Sequence, residues 1–517
     1  MVIFYCVVTS QSGAPTGNKT DPSCMYNDTT LTSDSWAVKI DSSGSKVWDR
    51  ALGGMYGEKA NHVMIDNKGN FIITGASNSE ISCEKSESRY DSNRDTWTIS
   101  IDLDSNVIWD KRLGNTIEDE FFCGDVAPDG SIILAGYSLA YYPNFDVTDT
   151  NVGFFEDYWV VKLDSLGNKI WDEKYGSAST DFASSVIALS NHAYMIIGSS
   201  NGTKSGDMHD SSFSHILINN FREDNWIIKI DSAGNKIWDK RYGCWTADDN
   251  HTGASLLNSD GDVVIGASLG GYSGPMGVYP CNDGVADTVA RGVWDAWIYK
   301  IDTADGHIIN ERRFGGDFNE AIYQIKEMPD KGYIVALKSN SNAGFEKSEN
   351  RIGFNQQNTN NYDIWLVRMD SAFNIIWDKT LGTDAYDWGP NVIPLNDSTF
   401  IVSAIIEKGN SFDVGLAMFD TVAFGTGWLR GDIWLSKWYI PNPANLQEMS
   451  LASFNLYPNP VKDILYITLQ NAKNKSYHIH VQDMQGRMVV QRQLTITNSN
   501  TICLNRMIGN PMYMWLI

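Results

Sequence analysis

The stretch that decides the fold is Asp157-Tyr-Trp159-Val-Val-Lys-Leu-Asp164-Ser-Leu-Gly-Asn168-Lys-Ile-Trp171-Asp-Glu-Lys-Tyr175. Trp159, Val161 and Leu163 alternate, which places them on one face of a strand. Ser165 to Asn168 has turn chemistry, and Asn168 to Tyr175 reads as a second strand. Ala183 to Leu189 and His192 to Gly198 complete a unit of four short strands.

The unit recurs. Asp-x-Trp stands at Asp34/Trp36, Asp95/Trp97, Asp157/Trp159, Asp224/Trp226, Asp295/Trp297, Asp363/Trp365 and Asp432/Trp434, with Trp spacings of 61, 62, 67, 71, 68 and 69 residues. A second Trp follows twelve residues later at Trp48, Trp109, Trp171, Trp238 and Trp377, while the fifth unit has Ile309. Twelve of the 18 tryptophans therefore occupy two repeat positions, which makes them packing residues rather than ligand platforms. Four antiparallel strands repeated radially define an all-β fold, a β-propeller. One sheet cannot bury both its faces; a ring of sheets buries all of them.

The array opens on Val2 to Thr9, which reads as a fourth strand, and ends on a lone first strand, Asp432 to Ile440. This order predicts seven blades, the closing one incomplete. That blade would join the C-terminal first strand to the N-terminal fourth strand, with its other two strands upstream of Met1. A six-bladed ring with irregular extra strands is the alternative. Met1-Val-Ile-Phe-Tyr-Cys-Val-Val lacks the basic region of a signal peptide, which also places the expected N-terminus upstream. The expected organisation is a propeller over 1–440, a linker over 441–453 and a small β-sandwich over 454–517.

The 517 residues carry 40 Lys and Arg against 63 Asp and Glu, a formal charge of -23. An acidic surface disfavours nucleic-acid partners. No stretch is apolar enough for a membrane-spanning helix.

The repeat Asp-x-Trp-(Val/Ile)-x-Lys-(Ile/Leu)-Asp-x-x-Gly-Asn-x-x-Trp-Asp-Lys resembles propeller repeats of large secreted Bacteroidetes proteins. The tail, with Tyr457-Pro-Asn-Pro460, Asp463, Asp483-Met-Gln-Gly-Arg487 and the region Gly509 to Tyr513, resembles the C-terminal sorting domain of their type IX secretion system, the Por secretion tail. The resemblance implies export by the type IX secretion machinery, then release or attachment at the outer-membrane surface. The family's short basic or polar finish is replaced here by Met512-Tyr-Met-Trp-Leu-Ile517.

Six long connections link fourth strands to the next first strands, and all are expected on one face of the ring, as long inter-blade loops. Function commonly sits on such loops. Aromatic residues outside the two repeat positions are the ligand-binding candidates: Trp245, Trp294, Trp388, Trp428, Tyr142 and Tyr272, with Tyr137, Tyr141 and Tyr279 also in view. The repeated Asp before each first strand reads as a cap for turn N–H groups. Asp207, Asp210, Asp283 and Asp287 are weak candidates for structural calcium; otherwise no cofactor is expected. Seven cysteines are present, and Cys24, Cys83 and Cys281 fall in long loops where disulfides could staple an exported protein.

Sequence motifs for catalysis are missing: no His-Glu-x-x-His, Gly-x-Ser-x-Gly or P-loop occurs, and catalytic residues are not assignable. The leading expectation is a non-catalytic, exported or cell-surface propeller that binds a glycan or a surface protein through its long loops. A secreted polysaccharide hydrolase and a structural scaffold of a surface assembly are the alternatives. A shallow aromatic strip on the loop face would favour glycan binding, and facing carboxylates in a pocket would favour the hydrolase.

Overall fold

A computed structural model describes residues 4–10, 19–21, 24, 33–41, 46–202, 204–209, 224–243, 248–249, 254–270, 291–352, 361–383, 385–396, 398–406 and 432–439, and the tail strands between 454 and 516. The chain divides into two compact units, Met1–Trp438 and Tyr439–Ile517.

The first unit is seven antiparallel sheets in tandem, a seven-bladed propeller. Sheet one holds β1 (Phe4–Ser10), β2 (Asp34–Ile40) and β3 (Lys46–Leu52). Sheet two holds β4 (Glu58–Ile65), β5 (Phe71–Ser77), β6 (Asp95–Ile101) and β7 (Val107–Leu113). Sheet three holds β8 (Asp119–Val126), β9 (Ile132–Ser138), β10 (Asp157–Leu163) and β11 (Lys169–Tyr175). Sheet four holds β12 (Asp181–Ala188), β13 (Tyr194–Ser200), β14 (Asp224–Ile230) and β15 (Lys236–Tyr242). In sheet five the inner strand is split into β16 (Asp248–Asp249) and β17 (Ser255–Leu257), followed by β18 (Val263–Gly270), β19 (Trp294–Ile301) and β20 (Ile308–Phe314). Sheet six holds β21 (Glu320–Glu327), β22 (Tyr333–Ser339), β23 (Asp363–Met369) and β24 (Ile375–Leu381). Sheet seven holds β25 (Asp387–Asn396), β26 (Thr399–Ile406) and β27 (Asp432–Tyr439).

Two expectations are corrected. The sequence repeat opens at Asp-x-Trp, but each sheet begins half a repeat later. Sheet three, for example, runs β8-β9-β10-β11, so strands three and four of one repeat pair with strands one and two of the next. The long loops are therefore not inter-blade connections. They join the two central strands of a single sheet, as residues 139–156 join β9 to β10. A periodic sequence has no intrinsic phase; only the hydrogen-bonded ladder sets one. The second correction concerns closure. Among the described residues no sheet joins the two ends of the array: β1 pairs with β2, and β27 lies beside β26 in its own sheet. Sheets one and seven instead pack face to face, with Ile40 and Val38 against Ile401 and Leu395.

The core lies between the blades. Trp97 packs with Ala37 and Leu52 of sheet one, Trp159 with Ile72 of sheet two, Trp297 with Ile227 of sheet four, and Trp365 with Ala296 and Phe314 of sheet five. First-strand indole N–H groups donate to strand-two carboxylates, and Trp226 gives its own to Asp239 at 3.3 Å. The acceptors are Asp49 for Trp36 (3.0 Å), Asp110 for Trp97 (3.1 Å), Asp172 for Trp159 (3.2 Å), Glu311 for Trp297 (2.9 Å) and Asp378 for Trp365 (2.9 Å). This explains the Trp-Asp pair of the sequence motif, whose carboxylate role Glu311 fills in the fifth unit. A buried indole N–H without an acceptor would be destabilising.

The second unit contains two three-stranded sheets. One orders β28 (Phe454–Tyr457), β29 (Ile464–Leu469) and β32 (Thr501–Asn505). The other orders β31 (Met488–Ile496), β30 (Lys475–Asp483) and β33 (Met512–Leu516).

Candidate functional site on the loop face

The long loops are pinned to their own blades by the repeated carboxylates. The first-strand Asp accepts a loop N–H: Tyr90 to Asp95 (2.8 Å), Val152 to Asp157 (2.6 Å) and Arg291 to Asp295 (2.9 Å). The strand-two Asp takes a second: Ser86 to Asp110, Thr148 to Asp172 and Ser348 to Asp378, all at 2.9 Å. The repeated Asp is thus a loop cap, as its position before the strand suggested. Asp102, Asp164, Asp231 and Asp370 each accept from the backbone and side chain of the Asn four residues on, which closes the strand-one turn.

A ring of buried carboxylate pairs underlies these loops. Two oxygens, one from each partner, meet over a glycine at the end of strand two: Asp34 and Glu58 at Gly53, Asp95 and Asp119 at Gly114, Asp295 and Glu320 at Gly315, Asp363 and Asp387 at Gly382. Burial pushes Glu58, Asp119, Asp181 and Glu320 up to about 7, and Asp363 up to about 8. These pairs are not an accessible acid–base site. Asp95, Asp119, Asp157 and Asp181 are fully buried, and Asp119 and Asp181 accept the N–H of Asn115 and Ser177 at 2.6 Å.

Each pair has a buried cation nearby, and its source alternates. Where strand two offers Arg241 or Arg313, the guanidinium binds the first-strand Asp directly, at 2.6 Å to Asp224 and 2.6 Å to Asp295. Where strand two offers Ala51 or Thr380, a loop lysine is buried instead, Lys19 or Lys347. Blade two has both, the buried Lys85 and the half-buried Arg112; Arg112 lies over the Tyr90 ring, 3.3 Å from its centre.

Four loops share a tight tip, closed by the bridges Ser82–Lys85, Asn144–Val147, Ser205–Met208 and Gly344–Lys347. The residue after each first bridge partner is left-handed: Cys83 (φ 51°), Phe145 (φ 53°), Gly206 (φ 57°) and Phe345 (φ 51°). Glycine adopts this conformation without penalty, whereas a phenylalanine there is strained by about 1–2 kcal/mol. Both phenylalanines are nonetheless presented to solvent, Phe345 with 68% of its surface exposed. Cys83 uses the same tip position to form a disulfide with Cys24, which ties the loops of blades one and two together.

Blade three gathers the most aromatic surface. Its loop exposes Tyr141, Tyr142, Phe145, Phe154 and Phe155, with Tyr142 and Phe154 each 80% exposed. Tyr141 lies beside Phe154, ring centres 6.4 Å apart. Phe145 stacks at 3.8 Å on Tyr90 of the blade-two loop, and the Tyr90 hydroxyl donates to Asp146 at 2.8 Å. Further along blade two, Arg89 lies 5.6 Å from the Tyr56 ring, and Tyr56 is also exposed. The aromatic surface thus spans two neighbouring loops.

Of the sequence candidates, Tyr142 is one of the exposed rings of the blade-three loop, with 80% of its surface in solvent. Trp294 is half-buried at the head of β19, where its N–H donates to Phe318 O at 3.2 Å at the boundary with blade six. Trp388 is half-buried on the inner strand β25, and its indole N–H has no partner among the described residues. Tyr137 is buried against Phe182. Asp207 is engaged with Gly176, accepting its N–H at 3.2 Å. Trp245, Trp428, Tyr272, Tyr279, Asp210, Asp283, Asp287 and Cys281 lie outside the described residues. Among the described residues no group of three or more His, Cys, Asp or Glu is placed to hold a metal ion. Phe145, Phe154 and Phe155 were missed in the sequence; their signal was the unusual aromatic density of residues 141–155.

The propeller and its tail together define an exported repeat protein. Residues 455–510 match the family described as the secretion system C-terminal sorting domain, so the second unit is a sorting domain and the protein is secreted or surface-attached. No curated protein matches the chain. Among solved structures, a protein of unknown function from Dyadobacter fermentans is similar at 12% identity and a TM-score of 0.39, covering 74% of this chain and 95% of its own. A Synechocystis apocarotenoid oxygenase variant is similar at 10% identity and a TM-score of 0.36, covering 79% and 88%. Scores this low bear on neither the fold nor the activity.

Proposed function

We propose that the protein is a non-catalytic, exported glycan-binding propeller whose ligand lies on the aromatic surface of the blade-two and blade-three loops. One observation carries this reading: Tyr141, Tyr142, Phe154 and Phe155 are exposed together on a loop that is otherwise pinned at both of its repeated carboxylates. Flat rings held on a rigid scaffold stack against sugar faces with little ordering entropy. Tyr142 and Phe154 are each 80% exposed, which suits stacking against a polymer that reaches them from solvent. The sorting domain would deliver this surface to the cell exterior.

The test is a glycan array probed with the full-length chain, with and without chelator, alongside Tyr142→Ala. Binding should be chelator-insensitive and weakened about tenfold by the substitution, roughly 1.4 kcal/mol. No binding across a broad array, or a Tyr142→Ala chain that binds as well as the parent, refutes the proposal.

A further inference from the structure

The six strand-two positions that face the buried carboxylates read Ala51, Arg112, Lys174, Arg241, Arg313 and Thr380. Lys174 is the one primary amine in this set, and it behaves differently from the arginines. Arg241 and Arg313 each form a direct ion pair with the first-strand Asp of their blade. Lys174 forms no direct ion pair among the described residues. Its Nζ is directed at the side-chain oxygen of Asn151, and also reaches Ser138 O (3.2 Å) and Ala140 O (3.4 Å). The side chain is 5% exposed. Asp157, fully buried on the paired strand β10, is close enough for its charge to act on this amine. Its Oδ2 accepts the N–H of Val152, the residue after Asn151, at 2.6 Å; its Oδ1 has no hydrogen-bond partner among the described residues.

A buried amine on a carboxamide, with a buried carboxyl bearing an unused oxygen alongside, is the constellation for spontaneous amide exchange. We propose that Lys174 and Asn151 form an intramolecular isopeptide bond, with Asp157 as the proton relay. The neutral ε-amine adds to Cγ of Asn151. The Nζ–Cγ bond forms and the Cγ–Nδ2 bond breaks. Nδ2 departs as ammonia, carrying the proton that Nζ releases and Asp157 relays. Atoms and charges balance with no oxidant, reductant or co-reactant. Burial favours both reactive forms: it lowers the Lys174 pKa, so more of the amine is neutral, and raises that of Asp157, so the carboxyl holds its proton.

The bond would clamp the loop 139–156 to the outer strand β11. That is the loop that bears the aromatic surface, but the clamp stands on its own residues and does not depend on what the surface binds.

Intact mass of the full-length, reduced chain tests this directly. The expected mass is lower than the calculated one by one ammonia, and digestion should yield a branched peptide joining Asn151 to Lys174. Lys174→Arg and Asn151→Ala should each restore the full calculated mass. Asp157→Asn should do so too, or accumulate the bond far more slowly. A parent chain of full calculated mass overturns the proposal. So does a mass deficit with only linear peptides at these positions, since Asn can also lose ammonia to its own backbone. A bond that forms undiminished in Asp157→Asn overturns the relay assignment. The parent-chain measurement needs no variant to fold.

Discussion

Asp172→Ala tests the claim that one strand-two carboxylate holds both the blade core and the functional loop. Asp172 is buried and accepts from the Trp159 indole (3.2 Å), the Thr148 N–H (2.9 Å), the Thr148 hydroxyl (2.8 Å) and Lys169 (2.8 Å). Removing the carboxylate orphans a buried indole donor, which costs about 1–3 kcal/mol, and the two Thr148 bonds add about 1 kcal/mol between them. The Lys169 pair is partly exposed and adds less than about 1 kcal/mol. The expected loss is therefore about 3 kcal/mol of unfolding free energy. Asp164→Ala is the internal control, because Asp164 makes three hydrogen bonds in the same blade but at an exposed turn. Urea unfolding followed by tryptophan fluorescence should rank Asp172→Ala well below Asp164→Ala. Amide hydrogen exchange should rise across residues 139–156 only in Asp172→Ala. Equal stability of the two variants, with unchanged exchange in the loop, would refute the reasoning.

Three further outcomes follow from the same structure. Gly176→Ala would put a Cβ 2.0 Å from Asp157 Oδ1, so it should unfold the chain or lower its stability by about 3 kcal/mol or more; Gly261→Ala, with open space, should lose only about 1 kcal/mol, from its left-handed backbone. Glu58, Asp119, Asp181 and Glu320 have folded pKa values near 7, above the unfolded range of about 4 to 4.5, so the folded state binds more protons between those limits. Stability should then fall as pH rises from about 4 to 7, and Glu58→Gln should flatten part of that slope in thermal melts. Cys24 and Cys83 are 59 residues apart, so replacing both with Ser should cost about 4 kcal/mol if chain entropy dominates, measured as a lower urea midpoint under oxidising conditions.

The ring was legible because its tryptophans are a packing device, and packing devices must repeat with the blade. Trp97, Trp159, Trp297 and Trp365 each sit at an inter-blade boundary, as their alternation with aliphatic residues implied. The turn aspartates were legible for the same reason, since Asx chemistry is local. Sheet phase was not legible: the pairing of β9 with β10 across the loop 139–156 is a long-range choice that no local pattern encodes. The site was half legible. Tyr142 stood outside the repeat and is exposed, but Trp388 also stood outside it and lies half-buried on an inner strand. Departure from a repeat marks a residue as unconstrained by the common core; only its blade decides whether it meets solvent. The exchange of cations between Thr380 and Lys347 was equally hidden, because the two are 33 residues apart and meet only through the fold.

The half-repeat offset between sequence and sheet has a consequence for how such a chain can change length. Every repeat contributes two strands to one sheet and two to the next, like overlapping courses of roof tiles. Inserting or deleting one whole repeat at a loop tip would rejoin complementary halves, and each interior sheet would still have four strands. Ring size can therefore be revised by simple duplication, without any intermediate that exposes a split blade.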